Sequence, residues 1–225
     1  MIFCKQQIEY YQQRPLPKKI KIWKSESLIK EFKGKKKKVI TFLGFGELGY
    51  NEPRVFNQIV RNELSEFDPK KYLVNTGTLI TSGFENGITD VYRIAKRMAF
   101  GTTGVHPSIA LESRSSYFLS VYEDYPYFVL DNTWGGYLNV HIKPSETLRT
   151  LLSISDYVIA IGGGKYTAQE INAFKELGKH VKYYTAEMNH KISSKWAKER
   201  GEKIIDFRGE AYFLINQTSE NIVRL

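Results

Sequence analysis

The sequence predicts an α/β fold with a doubly wound parallel sheet, and three observations lead to this prediction. Short apolar runs recur along the chain, and segments with the period of amphipathic helices separate them. The runs are nearly continuous rather than alternating, which is typical of strands covered on both faces. Right-handed crossovers between such strands give a Rossmann-like three-layer sandwich. The predicted strands are residues 39–43, 72–74, 127–130, 157–161, 181–184 and 203–207.

The predicted helices lie between these runs. Residues 53–67 place Phe56, Val60, Leu64 and Phe67 on one stripe. This segment also begins with a proline, which is favoured in the first turn of a helix. The other predicted helices are residues 87–98, 168–177 and 193–200, and a glycine follows the last of them.

Length and composition narrow the class of protein. A chain of 225 residues that is 42% hydrophobic can bury a sizeable core. Its longest apolar stretches run about eight residues, whereas a membrane-spanning helix needs about 20. We see no secretory signal at the N-terminus, and the single cysteine, Cys4, cannot form an internal disulfide. We therefore expect a cytoplasmic protein without a membrane partner.

The excess positive charge is confined to the N-terminal region. Residues 1–38 hold 12 Lys or Arg and 3 Asp or Glu, which accounts for the whole net charge of +9. We therefore divide the chain into a basic N-terminal arm, residues 1–38, and a Rossmann-like domain, residues 39–225. Alternating Ile20 and Ile22 predict a short strand in the arm, and Ser25 is the predicted N-cap of a short helix. The arm is expected to pack on the domain as a small appendage.

Two glycine-rich turns follow predicted strands in the first half of the domain. The hexapeptide GFGELG (44–49) has the G-x-G-x-x-G spacing of dinucleotide sites, which makes Gly44 and Gly46 candidate ligand-binding residues. The next strand lacks a nearby acidic residue for a ribose hydroxyl, so NAD is not expected. The second turn contains Gly83 and Gly87, which either form a flexible turn or line a ligand site.

The third glycine turn follows the strand at 157–161 and leads directly into a helix. Free N–H groups and the helix dipole at that point favour an anion, and the candidate binding residues are Gly163, Gly164 and Thr167. Glu170 lies one turn further on, where it should meet an uncharged part of the ligand such as ribose hydroxyls. A structural alternative is that Thr167 and Glu170 form a capping box.

The nonapeptide GGGKYTAQE (162–170) resembles the phosphate-binding signature P-G-G-x-G-T-x-x-E of the LOG family, and of the wider SLOG superfamily of nucleotide-ligand sensors. The segment 102–107 resembles the end of that family's third strand, and the similarity covers roughly residues 39–185. LOG enzymes hydrolyse the N-glycosidic bond of a nucleoside 5′-monophosphate. The resemblance implies Glu170 and Arg149 as catalytic residues, and a homodimer or larger oligomer.

The sequence departs from this signature at two positions and leaves three functional hypotheses open. Gly162 replaces the family's proline, and Tyr166 replaces the glycine before the threonine, where its ring adds bulk but could stack on a base. The leading hypothesis is a nucleotide-binding protein with phosphoribohydrolase activity. The first alternative is a non-catalytic sensor or carrier of a nucleotide-like phosphorylated ligand. The second is a nucleic-acid binder that acts through residues 1–38.

No resident cofactor and no metal are expected. The four histidines show no metal-ligand spacing, and the one cysteine has no histidine partner nearby in the sequence. A serine hydrolase is not expected either, because the chain has no G-x-S-x-G elbow. The expected partner is a nucleotide or a phosphoribosyl small molecule.

Overall fold

The computed structural model describes residues 13–14, 20–77, 87–112, 119–137, 143–204 and 206–220. The strands are β1 (Gln13–Arg14), β2 (Ile22–Trp23), β3 (Lys38–Gly44), β4 (Tyr72–Thr76), β5 (Gly101–Pro107), β6 (Leu119–Ser120), β7 (Tyr125–Val129), β8 (Tyr157–Ile161) and β9 (Val181–Tyr184). The helices are α1 (Ser25–Gly34), α2 (Pro53–Ser65), α3 (Asp90–Arg97), α4 (Glu146–Ile154), α5 (Lys165–Glu176), α6 (His190–Arg200) and α7 (Glu210–Glu220).

The main sheet has seven parallel strands in the order β2-β7-β5-β4-β3-β8-β9. From β3 the chain moves outward through β4, β5 and β7, and it then returns to place β8 and β9 on the other side of β3. The direction of winding therefore reverses between β3 and β8, which confirms the predicted doubly wound α/β fold. Strands β1 and β6 form a separate antiparallel pair.

The core is divided between the two faces of this sheet. On one face, Ile40 and Phe42 of β3 pack with the buried residues Phe56, Val60 and Val91 of helices α2 and α3. On the other face, apolar side chains of α4 and α5 cover β3 and β8, including Leu148, Leu151, Ile171 and Phe174. Successive side chains of a buried strand point to opposite faces of the sheet. Helices therefore pack on both faces, which produces the three-layer sandwich.

Residues 20–34 belong to both the sheet and one helical layer. Strand β2 pairs with β7 at the edge of the sheet, and α1 packs against α4. Leu28 and Phe32 of α1 are buried in a cluster with Val39. Ser25 is the first residue of α1 rather than its N-cap, and its hydroxyl forms a 2.7 Å hydrogen bond with the hydroxyl of Thr150.

The prediction of a strand at residues 203–207 is wrong for the described residues of that segment. They continue no ladder beyond β9, and the carbonyl of Phe207 accepts a hydrogen bond from Met188 N–H instead. The predicted helix at 87–98 begins later, at Asp90. Two helices, α4 and α7, were not predicted, although Ser145 caps α4 by accepting a 3.1 Å hydrogen bond from Leu148 N–H.

Among the residues that the structure describes, none of the helices is both long enough and apolar enough to cross a membrane. The same part of the chain contains no cluster of three or more metal-ligating His, Cys, Asp or Glu side chains.

The carboxylate of Asp131 ties the end of β7 to the first turn of α4. It accepts hydrogen bonds of 2.6–2.9 Å from the backbone N–H groups and the hydroxyls of Thr133 and Thr147. Burial raises the pKa of Asp131, but these hydrogen bonds outweigh burial and hold the pKa below its usual value of 3.8. The ionised form is therefore the one that the fold stabilises.

We expect Asp131→Asn to destabilise the fold by about 1–3 kcal/mol at neutral pH, because the amide accepts fewer of these hydrogen bonds. A lowered folded-state pKa contributes stability that is complete above the unfolded pKa and disappears as pH falls through the folded pKa. The difference in unfolding free energy between wild type and variant should therefore shrink below pH 4. Urea unfolding across a pH series measures it, and a constant difference would contradict the assignment.

Candidate functional site

The first glycine turn is packed tightly at the point where the winding reverses. Gly44 ends β3 and pairs with Ile161, which ends β8. The hydroxyl of the buried Tyr50 donates to the Ile161 carbonyl at 3.0 Å and accepts from Phe45 N–H at 3.2 Å. A Cβ atom on Gly44 would lie 2.1 Å from this hydroxyl oxygen. Glycine at this position therefore makes room for Tyr50.

The second glycine turn closes against the first. A Cβ atom on Gly87 would lie 2.3 Å from the carbonyl oxygen of Gly46, and Ile88 N–H donates to the Phe45 carbonyl at 2.7 Å. Gly46 and Gly87 thus hold two loops together at the carboxyl edge of the sheet. Gly83 lies outside the described residues.

The third glycine turn brings the chain from β8 into α5. Gly163 has φ +128°, and a Cβ atom there would lie 2.3 Å from Thr167 Cγ2. Gly164 is the N-cap, so α5 begins two residues before Thr167, and the capping box of Thr167 and Glu170 is not formed. The Thr167 hydroxyl instead donates to the Gly44 carbonyl at 2.9 Å. Thr167 therefore connects the first and third glycine turns.

Glu170 places a carboxylate at the carboxyl edge of the sheet. Its side chain is only 2% exposed. A Cβ atom on Gly77 would lie 2.6 Å from Glu170 Oε2 and 2.9 Å from Leu43 Cδ2. Gly77 directly follows β4, and its N–H donates to the Phe42 carbonyl at 3.0 Å. The carboxylate thus reaches from α5 across β3 to the end of β4.

Helix α7 borders the start of α5. Ala211 N–H donates to the Gly163 carbonyl at 3.1 Å, and Gly209, with φ +74°, lies against the same carbonyl. A Cβ atom on Gly164 would lie 3.4 Å from Glu210 Oε2. A carboxylate therefore lies beside the positive end of the α5 dipole, where negative charge is favoured.

Two exposed aromatic side chains lie on the elements around this helix start. Tyr166, in the first turn of α5, is 54% exposed, and a Cβ atom on Gly136 would lie 3.8 Å from its Cδ1 atom. Gly136 belongs to the loop WGGY (134–137), in which Trp134 is 50% exposed. These rings offer flat apolar surfaces on which a base can stack.

Arg149 takes part in the contact between α1 and α4. Its guanidinium forms ion pairs with Glu26 and Glu146, and Nε donates to Glu146 Oε2 at 3.1 Å. Hydrogen bonds to these two carboxylates raise the pKa of Arg149. The positive charge of Arg149 is thus compensated by one carboxylate on α1 and one on its own helix, α4.

A groove of about 420 Å³ beside Gly164 was missed by the sequence analysis. Its walls come from α6, α7 and the connection between them, which the sequence suggested would be a strand. Arg200 Cζ lies 5.4 Å from the ring centre of Trp196, four residues earlier on α6. Burial raises the pKa of Glu47, and nearby Arg200 opposes that increase. An aromatic residue followed by an arginine four residues later was the available signal in the sequence.

No protein-family model and no curated protein sequence matches the chain. Among solved structures, the X-ray structure of the protein TM1055 is 21% identical and has a TM-score of 0.44, with 64% of this chain and 72% of that chain covered. The molybdenum cofactor carrier protein from Chlamydomonas reinhardtii is 15% identical, with a TM-score of 0.43 and coverage of 84% and 99%. The molybdenum cofactor binding protein from Rippkaea orientalis is 14% identical, with a TM-score of 0.43 and coverage of 83% and 98%. At these identities and TM-scores, the similarity establishes no function for this chain.

Proposed function

We propose that the chain binds a small phosphorylated ligand of the nucleotide or phosphoribosyl class at the carboxyl edge of the sheet. The observation that carries this proposal is the buried carboxylate of Glu170, which lies against Gly77 beside the point where the winding reverses. Ligands of doubly wound sheets bind at this edge. A carboxylate at this edge is placed to accept hydrogen bonds from the hydroxyl groups of a ligand.

The phosphate, the ribose and the base of such a ligand each have a matching group on or beside α5. The first turn of the helix offers backbone N–H groups to a phosphate, and the Glu210 carboxylate beside Gly164 has to turn away when the phosphate binds there. Glu170 lies five residues beyond Lys165, which is about 7.5 Å along the helix axis. At that separation the carboxylate meets ribose hydroxyls instead of the phosphate. Tyr166 and Trp134 then provide stacking surfaces for a base.

The finer proposal is that Glu170 supports hydrolysis of the N-glycosidic bond, as the LOG-like signature implies. The reaction passes through a sugar with oxocarbenium character, and a nearby carboxylate stabilises its developing positive charge. Water then attacks the anomeric carbon, the base leaves with the bonding electron pair and a proton, and ribose 5-phosphate remains.

A second candidate is a carrier or sensor that binds the ligand without cleaving it, and one observation favours it. Arg149, the other residue that the signature implies, is already paired with Glu26 and Glu146. A cation held in this way is not free to stabilise a reacting group. The two candidates use the same binding residues and differ in turnover.

Incubation with a panel of nucleoside 5′-monophosphates and ribose 5-phosphate tests both candidates. A hydrolase releases free base, detected by chromatography, and Glu170→Gln should lower that rate by about 100-fold or more. Glu176→Gln is the matched control, because Glu176 lies on the same helix but is exposed. A carrier shows no free base, but a ligand at 100 times its Kd adds about 2.7 kcal/mol of stability. If no member of the panel is turned over and none stabilises the protein, the proposed function is wrong.

A further inference from the structure

The edge of the sheet opposite the glycine turns is lined with lysines. Because all strands of the main sheet are parallel, their amino ends lie together on this edge. Lys36, Lys37 and Lys38 lie at the start of β3, and Lys70 and Lys71 directly precede β4. All five are exposed. We call this surface the amino edge.

A cluster of aromatic rings lies beside these lysines. Phe67, Tyr72 and Tyr157 form a cluster with ring-centre distances of 4.9, 5.1 and 5.8 Å. Tyr157 is 40% exposed, and Lys38 Nζ lies 6.0 Å from the centre of its ring. The edge of the cluster is therefore open to solvent next to a cation.

A second aromatic group lies across the amino edge. Lys35 Nζ donates to the Tyr127 hydroxyl at 2.5 Å and lies 5.9 Å from the ring centre of Tyr125. Tyr125 is 52% exposed. Along the sheet, four strand spacings, or about 19 Å, separate Tyr125 on β7 from Tyr157 on β8. The two rings lie on opposite faces of the sheet, with Tyr157 on the α2 side and Tyr125 on the α1 side, so a strand that contacts both has to cross the amino edge. The lysines at 36–38 lie in the segment between the two groups.

The charge that remains after pairing is positive. Glu63 pairs with Lys182 at 2.7 Å and Asp68 pairs with Lys71 at 3.8 Å, while Asp156 accepts a 2.8 Å hydrogen bond from Val39 N–H. Within the part of the chain that the structure describes, no carboxylate forms an ion pair with the remaining lysines of the amino edge. These are Lys36, Lys37, Lys38 and Lys70.

A cavity of about 550 Å³ opens beside the aromatic cluster. Phe67 and Tyr157 form its apolar wall. The charged or titratable side chains around it are of both signs: Lys179, His180 and Lys182, and Glu63, Glu66 and Asp156. This volume is within the usual range for small-molecule pockets.

We propose that the amino edge binds single-stranded nucleic acid. Unpaired bases stack on the rings of Tyr157 and Tyr125, and the lysines at 36–38 contact the phosphates between them. Sequence-tolerant binders of single strands combine aromatic rings with a cationic track in this way. A duplex hides the faces of its bases, and a lipid headgroup has no planar base that stacks on a ring. Both are therefore weaker matches to this surface. This proposal is independent of the ligand site at the carboxyl edge.

Fluorescence anisotropy of labelled oligonucleotides of about 16 residues tests the cationic part with the full chain. We expect binding that weakens with salt, and the triple variant K36Q/K37Q/K38Q should reduce the slope of log K against log salt by about 2. The matched control is K191Q/K195Q/K198Q, which removes the same charge from exposed positions on α6. An equal loss in both triple variants would mean that only net charge matters, and it would overturn the proposal.

The stacking part is tested at Tyr157. We expect Tyr157→Leu to weaken single-strand binding about tenfold, and Tyr157→Phe to leave it unchanged, because the phenyl ring still stacks. Thermal melting checks folding, and Tyr125→Leu provides the same test at a more exposed ring. Affinity that is equal for single strands, duplexes and anionic vesicles, or unchanged in both leucine variants, would overturn the proposal. So would absence of binding at about 50 mM salt.

Discussion

Replacing Gly44 with alanine is expected to destabilise the protein by about 3 kcal/mol. The added Cβ would lie 2.1 Å from the Tyr50 hydroxyl and 2.7 Å from the Ile161 carbonyl oxygen. Neither atom can retreat easily, since β8 is an interior strand and Tyr50 stacks on Phe56 at 4.1 Å. Denaturant unfolding of the purified variant measures the loss.

A double-mutant cycle identifies Tyr50 as the source of this effect. Tyr50→Phe alone should cost about 1–3 kcal/mol, because Phe45 N–H and the Ile161 carbonyl lose their hydrogen-bond partner. In that background Gly44→Ala should cost at least about 1 kcal/mol less than in wild type. Burial raises the pKa of Tyr50, so the hydroxyl stays protonated and able to donate. Additive effects would show that Tyr50 does not fill this space.

Gly77→Ala is expected to reduce ligand affinity or turnover by about 100-fold. A Cβ atom at this position would lie 2.6 Å and 2.9 Å from the two carboxylate oxygens of Glu170, so the carboxylate has to move. The obstacle is mostly the end of a side chain, and for that reason the cost in stability should be smaller than for Gly44→Ala. Isothermal titration, with the ligand identified by the nucleotide panel, measures the change.

The control for this variant is Gly34→Ala, since nothing lies within 4 Å of a Cβ atom at that position. It should bind ligand like wild type. If Gly77→Ala also kept full affinity and turnover, Glu170 would not contact the ligand, and the proposed site would lose its main support.

Much of the fold follows from local patterns in the sequence. Strands β8 and β9 have the predicted bounds, and α2 begins at the predicted proline and ends two residues before the predicted end. Each is a nearly continuous apolar run or a strongly amphipathic segment, so short-range rules suffice. The third glycine turn follows from the strand before it and the helix after it.

Strand β5 was not predicted, because its sequence GTTGVHP is not a continuous apolar run. Thr102 N–H donates to Asp124 Oδ2 at 3.0 Å, and the Thr103 hydroxyl donates to the Tyr125 carbonyl at 2.9 Å. These tertiary partners satisfy the polar groups that made the segment unlike a buried strand. Its resemblance to a family strand end was the only available signal in the sequence.

The site could be predicted only where neighbours in sequence define it. The third glycine turn and the position of Glu170 one helical turn beyond it follow from spacing. Two contacts of the site each join residues 123 positions apart. They are the hydrogen bond from the Thr167 hydroxyl to the Gly44 carbonyl and the ion pair between Arg149 and Glu26. No local pattern indicates such contacts, so the structural role of Thr167 and the compensation of Arg149 required the three-dimensional structure.

The position of α1 and β2 limits how the cationic segment can be studied. A shortened chain that starts at Val39 would leave the outer backbone groups of β7 unpaired and would uncover the apolar residues that Leu28 and Phe32 now shield. Unprotected strand edges and apolar patches promote self-association. Truncation therefore confounds electrostatics with aggregation, and charge-neutralising substitutions are the cleaner way to separate the two.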